Sequence, residues 1–122
     1  MKVKCIKIID EQSGKEIQNS PWLTVNKIYS VLSVLVENKK NLKFQFIGDD
    51  GVTPSYHNGN QFKVMSDIIP SNWIIVSEPD SYFELTPRAW ARKGFWEDYF
   101  EGKSKAISDF ESEKEKVIQY DP

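Results

Sequence analysis

The chain has 122 residues, 39% of them hydrophobic and 28% charged, with 16 Lys and Arg against 18 Asp and Glu. That composition excludes a disordered chain, a collagen-like repeat and a membrane protein, and a net charge of −2 removes the bulk electrostatic case for nucleic acid or an anionic membrane. One Cys and one His exclude a Cys/His zinc site and any intrachain disulfide.

Residues 2–9 alternate apolar and basic side chains, as a strand does, and hold Cys5 among Val3, Ile6 and Ile8. No apolar run there reaches the length of a signal-peptide core, so the cytoplasm is the expected compartment. DEQSGKE (10–16) is a turn, and 17–21 are an irregular link to Pro21. Trp22, Leu23 and Val25 precede IYSVLSVLVE (28–37), whose β-branched and aromatic content predicts an extended run. If that run is one strand, Ile28, Leu32, Val34 and Val36 share a face, and Tyr29, Val31 and Leu35 share the other. LKFQFI (42–47) puts Leu42, Phe44 and Phe46 on one face, with Lys43 and Gln45 opposite.

GDDG (48–51) is a tight turn, VTPSY (52–56) a short edge piece marked by Pro54, and HNGN (57–60) a hairpin signal that places His57 in an exposed turn. QFKVM (61–65) and NWIIV (72–76) are further strands, separated by a helical turn or bend at 67–71. After the loop 77–81, YFELT (82–86) is a final extended segment. Thr86-Pro87 reads as a helix start, with Thr as the cap and Pro at the first helical position. Short helical pieces are expected at 87–94 and 95–102, stopped near Gly94 and Gly102. From Ser104 an amphipathic helix carries a stripe of Ile107, Phe110, Val117 and Ile118. Residues 1–122 are expected to form one domain, with a β-rich part over 1–86 and a helical part over 87–122 packed on it.

Little in this pattern points to bond-making chemistry. Cys5 and His57 are the only Cys and His, and nothing in their spacing brings them together as a nucleophile and base. Asp49 and Asp50 are adjacent carboxylates, but Asp and Gly are also what a tight turn needs. An enzyme acting through carboxylates would require Asp49, Asp50 and Asp67 to converge in a pocket. No glycine-rich phosphate loop is present, so no cofactor is expected. Tyr82, Phe83, Trp90, Phe95, Trp96, Tyr99 and Phe100 crowd into one stretch that serves as core or as contact surface.

Residues 23–65, which open on Leu23-Thr24, Lys27, Tyr29 and Val31 and continue through hairpins at short spacing, resemble small SH3-like barrels. IPSNWII (69–75) and LTPRAWARKGFWEDYFEG (85–102) resemble small bacterial proteins of unassigned function, some of which are immunity partners of secreted toxins. The expected fold is mainly β (α+β): a twisted antiparallel sheet of five or six strands or an SH3-like barrel, with short helices and a C-terminal amphipathic helix. The expected function is a non-enzymatic protein-binding module, in its sharpest form an immunity protein that occludes a toxin's active site. Its partner-binding residues would be Asp49, Asp50, Tyr56, His57 and Asn58 on hairpin tips, with Glu97, Asp98 and Glu101 as a second acidic patch. One alternative is a nucleic-acid-binding small barrel using Arg88, Arg92 and Lys93 with exposed Trp90 or Trp96. Another is a structural subunit of a larger assembly.

Overall fold

The computed structural model, which describes residues 1–122, divides the apolar run 28–37 between two sheets. The strands are β1 (Lys2–Cys5), β2 (Ile8–Ile9), β3 (Glu16–Ile17), β4 (Ile28–Ser30), β5 (Ser33–Glu37), β6 (Asn41–Ile47), β7 (Pro54–Asn58), β8 (Phe62–Ser66), β9 (Trp73–Glu78) and β10 (Tyr82–Pro87). The helices are α1 (Phe95–Phe100) and α2 (Ser104–Tyr120), and 3-10 turns span Gly59–Gln61 and Arg88–Trp90. A small sheet has the order β4-β1-β8, a larger one β7-β6-β5-β10-β9, and β2 and β3 form a short arm. All pairings are antiparallel. The mainly β class with a C-terminal helix therefore holds, while the strand ladders do not close into a barrel.

The break at residues 31–32 explains the open form. The Val31 amide donates to the Met1 carbonyl at 3.0 Å beside the small sheet, and the Leu32 amide donates to the Gln45 carbonyl at 2.7 Å in the large one. Both side chains are buried, whereas an unbroken strand would send one of them outward. Ile28, expected to share a face with Val34, is half exposed at 50%, whereas Val34 is buried. A second switch follows β7. The Asn-Gly pair at 58–59 does not make a hairpin; it leads through the 3-10 turn into β8 of the other sheet, so His57 lies within a strand rather than in an exposed turn.

The two sheets meet through aromatic side chains. Tyr29 of the small sheet stacks on Phe46 of the large one at 4.4 Å between ring centroids. Phe62 meets Phe44 and Phe46 edge-on at 6.0 and 5.4 Å. Val3 and Cys5 complete the inner face of the small sheet. The Cys5 thiol is fully buried, burial pushes its pKa up, and it donates to the Lys7 carbonyl at 3.4 Å. It behaves as a small hydrophobe. Each of these aromatic rings stabilises the fold by roughly 2–3 kcal/mol on burial. Leu42, on the same face of β6 as Phe44, lies toward the hairpin end and is exposed.

The other face of the large sheet carries a polar chain of contacts. Ser33 donates to the Gln45 side chain at 2.6 Å and lies 3.2 Å from the Tyr56 hydroxyl, which donates to Glu84 at 2.7 Å. Gln45 is therefore buried rather than solvent-facing. Burial raises the Glu84 pKa, and it raises that of Tyr56 above the ordinary phenol range, with the Glu84 charge adding to it.

The helical part differs in detail from its expected form. Strand pairing between β9 and β10 continues to Trp73↔Pro87, so Thr86 is a buried strand residue and caps nothing. Only a 3-10 turn follows where a helix over 87–94 is expected. Residues 67–71 form no helix, and the Trp73 amide closes a turn on the Pro70 carbonyl at 3.2 Å. Helix α2 buries Ala106, Phe110 and Val117, while Ile107 and Ile118 are 39% and 38% exposed. The buried stripe is thus displaced from the expected one, with Ala106 fully buried in place of Ile107. Phe110 stacks on Trp90 at 5.0 Å, and the Trp90 indole donates to the Asp109 carbonyl at 3.4 Å. Asn72 donates to Glu113, and Asp121 takes hydrogen bonds or charge from Ser66 and the N-terminus, which ties α2 to both sheets. One cluster of 17 buried residues runs from Val3 to Val117.

Candidate functional site: an acidic cleft beside strand β7

The N-terminal arm folds back toward β7 and leaves a cleft of about 510 Å³ between them. That volume lies within the range of small-ligand and side-chain pockets. The second cavity, at the tips of the β5–β6 and β9–β10 hairpins, measures about 210 Å³.

Two residues hold the arm in place. Gln61 is buried, its side-chain Oε1 accepts the Ile9 amide at 2.9 Å, and its Nε2 donates to the Asn58 carbonyl at 3.2 Å. One side chain thereby fixes the arm to the end of β7. At the other end of the cleft the Asp49 amide donates to the Trp22 carbonyl at 2.9 Å. Gly48 permits that approach, since a Cβ there would stand 2.9 Å from the same carbonyl oxygen. Neither Gln61 nor Gly48 carries a signal that marks it in the sequence; each matters through a contact distant along the chain.

The lining is apolar at Ile8, Ile17 and Leu23, aromatic at Trp22 and His57, and acidic at Asp10 and Glu11. It contains no Lys or Arg. Trp22 is 50% exposed. His57 stacks on Phe46 at 4.6 Å, and its Nε2 lies 3.1 Å from the Ser55 hydroxyl. Burial pushes the His57 pKa down against the opposing charge of Glu11, so the ring is neutral at pH 7. Asp10 accepts from the Ser13 hydroxyl at 2.8 Å, which holds its carboxyl below the usual range. Glu11 makes no hydrogen bond or ion pair within the chain.

The expected partner-binding residues fall in two places. Asp49 and Asp50 occupy the β6–β7 turn beside Trp22, and Tyr56, His57 and Asn58 follow on β7. Within β7 their side chains alternate. His57 shares the core-side face with its partner Phe44, whereas Tyr56 is opposite Gln45 on the other face and Asn58 is opposite Lys43. They do not present one continuous surface. Asp49 is also committed internally: it accepts from the Thr24 hydroxyl at 2.6 Å, Lys27 Nζ at 2.7 Å and the Tyr29 hydroxyl at 2.9 Å. Desolvation pushes its carboxyl up, but the bonds from Lys27, Thr24 and Tyr29 together outweigh that and hold it below the usual range. Asp50 is exposed and accepts the Val52 and Thr53 amides, both at 3.1 Å, as turn chemistry requires.

Glu97, Asp98 and Glu101 lie on or just beyond α1, away from this arrangement in the chain. Asp98 is paired with Arg92 at 3.0 Å and Lys103 at 3.2 Å, and Glu101 with Lys103 at 3.6 Å, so much of that patch is neutralised. The nucleic-acid alternative needs an exposed Trp90 or Trp96. Trp90 is 2% exposed, and Trp96 is partly buried against Trp90, Phe95 and Phe110. Asp67 lies in the link after β8 rather than on the β6–β7 turn, and no three His, Cys, Asp or Glu side chains are grouped to hold a metal ion. No helix is long and apolar enough to cross a membrane.

Comparison of the chain with known protein families, curated proteins and solved structures finds no match.

Proposed function

We propose that the protein is a non-catalytic protein-binding domain whose recognition site is the cleft between the N-terminal arm and β7. The observation that carries this is the half-exposed Trp22 at a cleft large enough for side chains of another chain. Large aromatic residues in concave, partly desolvated settings supply a disproportionate share of binding energy. The surrounding carboxylates favour a basic partner surface and speed its approach. In the narrower form of the proposal the partner is a toxin, and the acidic cleft and its neighbouring turn cover a basic active site.

A photo-crosslinking side chain at position 22 tests the proposal in cells. One partner is expected to crosslink from position 22 and not from the exposed position 118. The purified partner should then bind the native chain and lose at least tenfold in affinity with Trp22→Ala. No adduct, or equal binding by Trp22→Ala, would remove the proposal. The toxin form adds that co-expression with the partner relieves its toxicity.

A further inference from the structure

We infer that the cleft accepts an extended segment of the partner, laid along β7 as an added strand, with an Arg or Lys side chain placed against Trp22 and Glu11. This rests on the protein-binding proposal above and specifies the ligand of the same site.

The first support is an open strand edge. β7 is the outermost strand of the large sheet and pairs only with β6. The Asn58 carbonyl is taken by Gln61, but no backbone group of residues 54–57 bonds to anything beyond β6. Thr53, Ser55, Tyr56 and His57 line the cleft, so this edge opens into it. A free edge flanked by side-chain pockets is the arrangement used for strand addition, where main-chain hydrogen bonds give affinity and alternate side chains give specificity. Residues 54–57 offer about 14 Å of edge, with Pro54 contributing only its carbonyl, enough for about four residues of ligand.

The opposite wall suits the same occupant. The β2–β3 arm pairs only with itself and presents Ile17, which is 38% exposed, beside the cleft. A strand seated between β7 and the arm would cover both Ile17 and Trp22.

The second support is charge. Of the two lining carboxylates, Asp10 is engaged by Ser13, whereas Glu11 has no partner in the chain. No cationic side chain lines the cleft, and His57 is neutral. An acidic segment would meet uncompensated repulsion. A guanidinium or ammonium would gain the free carboxylate of Glu11, and Trp22 in the same lining offers an indole face to a cationic or apolar side chain.

Selection of a random twelve-residue peptide display library against the intact chain tests this. Enriched peptides are expected to share one Arg or Lys at a fixed position. Replacing that Arg with citrulline, or Glu11 with Gln, should each weaken binding about tenfold, and the two changes together should cost little more than either alone. Methylating alternate backbone amides of the peptide should abolish binding in one phase of the alternation and spare it in the other. Hydrogen exchange at the amides of residues 55–58 should slow on binding. Enriched peptides that need Trp22 but carry no basic residue, or that tolerate citrulline, Glu11→Gln and methylation in both phases, overturn this inference and leave the protein-binding proposal standing. If nothing enriched depends on Trp22, this inference falls, and the protein-binding proposal is decided by the crosslinking at position 22. Glu11→Lys, an exposed change, provides a folded variant for which binding of the basic peptides should be lost outright.

Discussion

Asp49→Ala removes a carboxylate that ties the β6–β7 turn to residues 24–29. The side chain accepts from Thr24, Lys27 and Tyr29 at 2.6, 2.7 and 2.9 Å. Hydrogen bonds to a charged group contribute about 1.5–3 kcal/mol each; the Tyr29 hydroxyl would lose its acceptor in a partly buried place, while the Thr24 bond is exposed and falls below that range. Lys27 is half exposed, so its ion pair adds only a few tenths of a kcal/mol. The expected loss is therefore about 2–3 kcal/mol, a fall in Tm on the order of 10 °C for a chain of this length. Urea unfolding from pH 7 down to pH 2.5 distinguishes this cause from a packing defect. The folded carboxyl lies below its ordinary value, so its contribution is fully present above the unfolded pKa, near ~4. It disappears as pH falls through the lower folded value. The stability gap between native chain and variant should be constant from about pH 5 to 7 and shrink steadily below about pH 4. A gap equally large at pH 2.5 and pH 7, or one under about 0.5 kcal/mol throughout, would refute the role given to this carboxylate.

Phe110→Ala empties a fully buried site stacked on Trp90 and should cost about 3–5 kcal/mol by denaturant unfolding, while Ile107→Ala, on the exposed side of the same helix, should cost under about 1 kcal/mol. Glu84→Gln keeps an acceptor for Tyr56 but removes a charge that burial disfavours, so it should stabilise the protein at pH 7. Because the folded Glu84 pKa is raised, its favourable contribution is complete below the unfolded pKa and is lost as pH rises through the folded one; the gain from Glu84→Gln should vanish below about pH 4. A variant that is less stable at pH 7, or whose effect does not change with pH, contradicts this. Gly48→Ala places a methyl group 2.9 Å from the Trp22 carbonyl oxygen and should cost about 1–3 kcal/mol, with the Trp22 indole resonance moving in NMR spectra. An unmoved resonance with unchanged stability would show that the arm is not held there.

Alternation in the sequence is enough to find most strands, because a half-buried strand must repeat every two residues. Residues 42–47, 61–65, 72–76 and 82–86 coincide closely with β6, β8, β9 and β10. The amphipathic helix after Ser104 is equally legible, although its buried face is not: Ala106 carries too weak an apolar signal to compete with Ile107 in the pattern, yet it is Ala106 that is buried. Thr24, Lys27 and Tyr29, three of the residues on which a resemblance to SH3-like barrels is expected, are the three donors to Asp49. Their spacing was visible, but their common acceptor some twenty residues later was not.

Composition and periodicity by themselves determined a mainly β chain with a terminal helix, since burial of apolar faces at periods of 2 and 3.6 admits few other classes. Only the tertiary structure decided where the strands change sheet. That choice rests on whether Val31 and Leu32 can both be buried, a question of packing in space rather than of local pattern. The cleft follows from the same kind of fact. Its walls come from residues 8–23 and 53–61, joined by Gln61 and by the Asp49–Trp22 backbone bond, and no local preference along the chain encodes a contact across that distance.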